Sequence, residues 1–456
     1  MSPGGFDRRE FLKGALAIGG AGALSACVSI EGDPDTVPRG DPDSVPERQY
    51  EWNAHLPTGP HGNVKLPNHQ LVFLLSYRGE GVPTTADRER VEAALRTIER
   101  AYPWGTSEEV NPTTTDGLLH FIGYAPQYFD RFDDDPSTGS MPMRPEAVIE
   151  ELDEDAEPDA ADAVLVLTSD QVSVLLSAEQ ALRGGFDTLN GVAVEAALTD
   201  VFDVVGRRTG FLGVGRPAEE FEEIDVPEHS PTAMGYRSGF KDNQATEQKV
   251  TIGIGPFAGG TMLQLSRLAF DLESWYGYDE PERVHRMFSP EHTPEQVGEI
   301  GEHLGGQSRI SRETVDRTVE DAREHDLVGH TQKVASARDE NFEPKLLRRS
   351  EGVSTDLDRP AMNFISLQRF IGEFLDVRRA MNCPAHGGDF AQREAEGEED
   401  GGGGDGQPAG GSGCPAHAQV PGENNGIDGF LEVLSRGTYL VPPRSLRALP
   451  TPNGEP

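Results

Sequence analysis

Apolar residues between positions 70 and 211 follow two periods in alternation, and this alternation constrains the fold more than any other feature of the sequence. Gln70 to Tyr77 is a continuous apolar run closed off by Pro67-Asn68 and Gly79, the pattern of a buried strand. Val91, Ala94, Leu95, Ile98, Ala101 and Tyr102 then recur at helical spacing and stop at Pro103, which predicts a helix with one face on a sheet. Leu118 to Tyr124 and Ala163 to Thr168 predict two further strands. Val172, Leu175, Leu176 and Leu182 predict a second helix, and Phe202 to Phe211 a fourth strand. His120 falls inside a strand and reads as a core or edge residue. The acidic stretch from Asp133 to Asp159 reads as a surface excursion. The order β-α-β, β-α-β predicts an α+β fold of ferredoxin-like type, in which helices cover one face of an antiparallel sheet.

The weakly patterned, acidic segment Pro217 to Pro231 predicts a boundary between two such domains, 67–216 and 231–382 plus 429–445. In the second, Met262 to Leu272 predicts a strand. Glu295, Val297, Ile300 and Leu304 predict an amphipathic helix, and Ala361 to Leu367 with Phe370, Ile371, Phe374 and Leu375 a strand and helix. Gly429 to Val441 predicts a last strand before Pro442-Pro443.

Outside these domains the sequence reads as processing and linker chain. Arg8-Arg9 followed by the short apolar run Gly14 to Ala26 predicts a twin-arginine export signal over 1–27. Leu24-Ser25-Ala26-Cys27 looks like a lipobox, which makes Cys27 a lipidation site and places the protein on the outer face of the cell membrane. Residues 28–66, rich in Pro, Asp and Gly, read as a flexible tether. With 78 acidic against 40 basic residues the net charge is −38, which argues against nucleic acid as a partner. An acidic excess spread over nearly every segment suits a high-salt environment, where a Debye length of about 3 Å at 1 M salt removes most self-repulsion.

Several short segments carry chemistry. They are Gly239-Phe240-Lys241-Asp242-Asn243, Gly255 to Thr261 followed by Arg267, Asp271 and Trp275, Gly329-His330, and Leu346-Leu347-Arg348-Arg349. Together with Ala125-Pro126 and Phe129-Asp130-Arg131-Phe132 in the first half, their order resembles the dye-decolourising (DyP-type) haem peroxidases over about residues 67–445. That resemblance implies two ferredoxin-like domains with haem b held by the second. It makes His330 the iron ligand and Asp242 the proton shuttle. Arg348 supports charge separation on the departing oxygen, with Arg349 as the competing assignment and Arg267 beside the cofactor. Three positions depart from the family pattern: Asn243 stands for glycine, Gly329 for serine and Val334 for alanine.

A ligating imidazole usually donates its second N–H to a carboxylate, and Glu373 and Asp376 are candidates for that partner. Trp275, Tyr276 and Tyr278 read as core aromatics, with electron relay as the functional alternative. The resemblance implies hydrogen peroxide and a small, aromatic or metal-bearing reducing substrate as partners, and leaves a homo-oligomer open. The rival reading is a non-catalytic haem- or iron-handling lipoprotein; a weaker one is an acidic scaffold without cofactor.

Cys383-Pro384-Ala385-His386 and Cys414-Pro415-Ala416-His417 repeat one tetrapeptide inside a Gly-, Glu- and Asp-rich insertion at 383–428. Cys383, His386, Cys414 and His417 match the donors of a tetrahedral metal site. A Cys383–Cys414 disulfide and a plain low-complexity duplication stand beside that reading.

Overall fold

The computed structural model describes residues 37–106, 113–133, 141–221, 223–237, 239–354, 356–382 and 424–454. Eight strands carry the fold: β1 (His69–Tyr77), β2 (Leu119–Tyr124), β3 (Ala163–Ser169), β4 (Phe202–Phe211), β5 (Thr261–Phe270), β6 (Leu347–Ser354), β7 (Ala361–Gln368) and β8 (Leu431–Val441). The main helices are α1 (Thr85–Ala101), α2 (Pro145–Leu152), α3 (Val172–Leu182), α4 (Leu272–Tyr276), α5 (Glu280–Met287), α6 (His330–Ser336) and α7 (Ile371–Asn382).

The strands join in the order β2-β3-β1-β4-β6-β7-β5-β8, and a two-residue strand, Glu157–Pro158, lies beside β8. The two halves repeat one internal order but do not form separate sheets. Phe211 of β4 pairs with Val353 of β6, and Leu440 of β8 pairs with Tyr124 of β2, so the sheet closes like a barrel. The expectation of two ferredoxin-like domains is corrected to one continuous antiparallel sheet with two seams, each of a single paired residue. A helical pattern and a strand pattern are local properties, whereas the pairing of two sheet edges is not.

The first half forms as its periodicity predicts. Thr84 caps α1 by accepting from Asp87 N at 3.2 Å, and the Asp87 carboxylate accepts from Thr84 N at 3.1 Å, a reciprocal capping box. Val91, Ala94, Leu95 and Ile98 of α1 bury one face against Leu71, Phe73 and Leu75 of β1. Each large side chain so buried contributes about 1.5–3 kcal/mol, and Leu95→Ala is expected to cost about 2–5 kcal/mol.

Alternate residues of the same strands point the other way. Val72, Leu74, Phe121, Val164 and Val166 meet Leu263, Leu265, Ile365 and Leu367 inside the closed sheet. His120 belongs to the core: it is buried, edge-on to Trp104 at 4.8 Å, with Nε2 3.6 Å from Glu99.

Three expectations fail for identifiable reasons. Residues 49–56 are not a tether: Tyr50 and Trp52 are fully buried, and Gln49 Nε2 donates to Pro442 O at 2.8 Å. Two aromatic anchors make no periodic pattern. The acidic stretch 133–159 contains α2, whose Val148 and Leu152 pack into the core below a charged outer face. The helix predicted around 295–304 is cut to Pro294–Val297 and a 3-10 turn at Glu302–Leu304, because Gly298 (φ 80°) and Gly301 (φ 84°) take left-handed backbone.

Candidate functional site

On the outer face of the second half, the segment from Met287 to Lys345, with the loop 232–237, does not lie flat on the sheet. It leaves a cavity of about 210 Å³. Leu268 and Phe270 of β5, Met362 and Phe364 of β7, and Phe374 and Val377 of α7 give it apolar walls. The aromatics expected near the site support one wall from behind. Trp275, fully buried, donates from Nε1 to Met234 O at 3.2 Å, and Tyr276 donates to Ala233 O at 2.8 Å. Trp275 is a core residue and Tyr276 a half-buried one packed against the same core, and they hold the 232–236 loop against the cavity.

His330 opens α6 and lines the cavity. Its place depends on Gly329: a Cβ there would stand 1.8 Å from Phe288 O, so the position admits no serine without backbone movement. Thr331 fixes the same turn by donating to Met287 O at 2.8 Å. Burial, helped by the charge of Lys333 and opposed by Asp428, lowers the His330 pKa to about 3. The ring is therefore neutral at ordinary pH, with a lone pair free for a metal. Its Nδ1 is buried without a hydrogen-bond partner among the described residues.

Neither expected carboxylate reaches His330. Glu373 caps α7, accepting from Arg369 N at 2.9 Å, and Asp376 pairs with Lys345 Nζ at 2.6 Å. Both sit at α7 positions whose carboxylates satisfy nearer donors. The carboxylate that acts on the imidazole is that of Asp428, held at 3.0 Å by the buried Lys333.

The pleat of β6 separates the two arginines that sequence left in competition. Arg348 lines the cavity, and its backbone N donates to Gln244 Oε1 at 2.9 Å. Arg349 points into the closed sheet, where it pairs with Glu247, donates to Asn53 Oδ1 at 2.9 Å and stacks over Trp52 at 5.3 Å. Arg267 is on the inner face of β5 as well. It lies 3.8 Å from Asp356, while the cavity takes its neighbours Leu268 and Phe270. Arg267 and Arg349 are thus removed from the cofactor set, because successive residues of a strand face opposite sides.

Asp242 is also displaced. It lies in a 3-10 turn, Lys241–Asn243, with an exposed side chain that is not part of the cavity wall. Asn243 lines the cavity in its place. Arg338 fixes that orientation by donating to Asp242 O and to Asn243 Oδ1, both at 2.8 Å. The expected trio is therefore only partly assembled: His330 and Arg348 share a cavity, and the Asp242 carboxylate does not.

Electrostatically the cavity is the reverse of the chain around it. Arg237, Arg338, Lys345, Arg348, Arg378 and Arg436 line it, and no aspartate or glutamate does among the described residues. Glu154 lies behind this wall, 2.6 Å from Arg436 and 3.1 Å from Arg378. Arg338, Arg378, Arg436 and Lys333 carry no sequence signal: each is one basic residue in an otherwise ordinary helix, strand or turn. Cys27, Cys383, His386, Cys414 and His417 lie outside the described residues. Among the described residues no group of three or more metal-ligating side chains assembles, and no helix is long and apolar enough to cross a membrane.

The chain is similar to several solved structures. One is the encapsulated DyP-type peroxidase from Mycobacterium smegmatis, at 14% identity and TM-score 0.49, covering 88% of this chain and 99% of that one. Another is a dye-decolorizing peroxidase from Bacteroides thetaiotaomicron, at 12% identity and TM-score 0.49, covering 87% and 98%. A third is a Rhodococcus jostii DypB variant in complex with heme, at 13% identity and TM-score 0.45, covering 84% and 96%. A search of curated proteins returned no match. Residues 67–402 match a family of unknown function, DUF7405, and the chain is a member of that family.

Proposed function

We propose that this protein binds haem b in the cavity and uses it to reduce hydrogen peroxide while oxidising a small substrate. One observation carries the reading: a neutral histidine and six cationic side chains converge, with no carboxylate among the described residues, on an apolar cavity in a chain of net charge −38. Three of the six already meet carboxylates behind the wall, Arg378 and Arg436 with Glu154 and Lys345 with Asp376, and the excess of positive charge at the cavity suits an anionic ligand. Haem is an apolar plate with two carboxylates and an iron that takes neutral imidazole, so the residues present fit it. A ring ligated through its other nitrogen would carry a proton on Nδ1, which is buried without a hydrogen-bond partner among the described residues, as is Asp428 Oδ1.

In this reading His330 holds the iron, the apolar walls exclude water, and cavity cations meet the haem carboxylates. Arg348 keeps its charge at any working pH and stabilises negative charge developing on a peroxide oxygen. Bound haem supplies the electrons that peroxide accepts. Proton transfer is not assigned to Asp242, whose carboxylate is exposed and off the wall. The twin-arginine and lipobox motifs support export and anchoring through Cys27 as part of the same proposal.

Titrating the purified protein with haem and following its visible absorption tests the reading. A bound spectrum that is lost in His330→Ala is expected; an unchanged haem content in that variant sinks the ligand assignment. The rival reading, haem handling without efficient turnover, differs in what the loaded protein does with peroxide. Peroxide consumption by the loaded protein separates the two.

A further inference from the structure

Asn243 lines the cavity where the Asp242 side chain does not. It lies in a 3-10 turn and not in the left-handed region, so the backbone makes no demand for asparagine here and the amide itself distinguishes the position. That amide is held in one orientation. Arg338 Nη2 donates to Asn243 Oδ1 at 2.8 Å, and Ser308 Oγ donates to the same oxygen at 3.2 Å. A guanidinium offers only N–H groups, so the amide atom it meets is the oxygen. Nδ2, which can only donate, is the end left to meet a ligand in the cavity.

The same turn is laid against the start of β6. Gln244 Oε1 accepts from Arg348 N at 2.9 Å, and Ala245 N donates to Leu346 O at 2.9 Å. Asn243 and Arg348 thus line one part of the wall, with Arg338 beside the amide. All three side chains carry N–H donors, and no aspartate or glutamate lines the cavity among the described residues. Donors fixed before a ligand arrives cost no reorganisation when negative charge meets them. Hydrogen bonds to a charged acceptor are also the stronger kind. A wall of donors therefore favours an anion over a neutral molecule of the same size.

We propose that Asn243, oriented by Arg338, is a specificity-determining residue that donates through Nδ2 to a small anionic ligand in the cavity, of the class of fluoride, azide and hydroperoxide. The inference rests on the haem reading above. Arg338 acts through the amide and is its positioning residue.

The test compares two ligands of the full-length, haem-loaded protein by visible absorption: fluoride on the ferric form and carbon monoxide on the ferrous form. Fluoride is an anion and a strong acceptor, whereas carbon monoxide is neutral and a weak one. Asn243→Leu keeps the size of the side chain and removes the donor without changing charge. Its fluoride affinity should fall at least about tenfold, while its carbon monoxide affinity stays within about twofold. Asn243→Gly removes the amide outright and takes the place of Asn243→Leu if that protein does not load haem. An unchanged ratio of the two affinities overturns the proposal, as does a wild-type protein that takes up haem but no fluoride. A wild-type protein without haem absorption overturns the haem reading instead, and the spectrum separates these failures before any ligand is added.

Discussion

Arg348 and Arg349 are consecutive in the chain and lie on opposite sides of β6, the first on the cavity wall and the second inside the closed sheet against Glu247. The two guanidinium groups therefore have different consequences when removed. Arg349→Ala leaves the Glu247 carboxylate without its buried partner and should destabilise the protein by about 3–5 kcal/mol. Arg348→Ala should destabilise the protein less than Arg349→Ala does while slowing the reaction of the haem-loaded protein with peroxide. Chemical denaturation and stopped-flow absorbance on the two variants check the pair; equal destabilisation by both would contradict the assignment of faces.

Gly329→Ser introduces a Cβ where only 1.8 Å separates it from Phe288 O. The start of α6 must shift, and a loss of at least about 1–3 kcal/mol is expected for such overpacking. Haem affinity should fall with it, since His330 is the next residue. Gly329→Ser with wild-type stability and haem affinity would show that this turn has slack the structure does not suggest.

Asp242→Asn tests the position of the proton-handling group. With the carboxylate exposed and Arg338 bonded only to the backbone oxygen of Asp242, stability and haem content should not change. The peroxide rate should change by less than about twofold, well under the 10²–10⁴ that a general acid–base residue supplies. A hundredfold loss would mean that the turn rotates when haem binds.

His120 gives a pH dependence with a definite sign. Burial lowers its pKa below the ordinary histidine value, with Glu99 opposing. Above the unfolded-state pKa, about 6.5, the ring is neutral in both states and stability is flat on its account. As pH falls below that value the unfolded chain takes up a proton that the folded one refuses. Stability is then lost at up to about 1.4 kcal/mol per pH unit. Urea denaturation between pH 7 and pH 5 should show a smaller slope in His120→Phe than in the wild type; identical slopes would remove His120 as the cause.

The site was legible in the sequence where chemistry coincides with a local pattern. His330 follows a glycine whose Cβ has no room, and Arg348 belongs to the segment Leu346-Leu347-Arg348-Arg349; both reach the cavity. Arg267 and Asp242 matched family spacing equally well and do not reach it. Spacing along a strand or turn fixes which residues are near, and the pleat or the turn's hydrogen bonds fix which way they point. Lys333, Arg378 and Arg436 were invisible because their role comes from acceptors and carboxylates far away in the chain: Asn425, Asp428 and Glu154.

The sequence by itself determined seven of the eight strands and the helices α1, α3 and α7, because period-2 and period-3.6 patterns are local properties, whereas β6 and α2 show no such pattern. It determined the acidic character as well, which is a sum over residues. Only the tertiary structure decided that the two halves share one closed sheet, that Tyr50 and Trp52 plug it, and that six cations face one cavity with no carboxylate among the described residues. Those outcomes depend on pairing and facing between segments as far apart as Tyr124 and Leu440. Such contacts form only when the whole chain has chosen one arrangement, and no window along the sequence contains both partners.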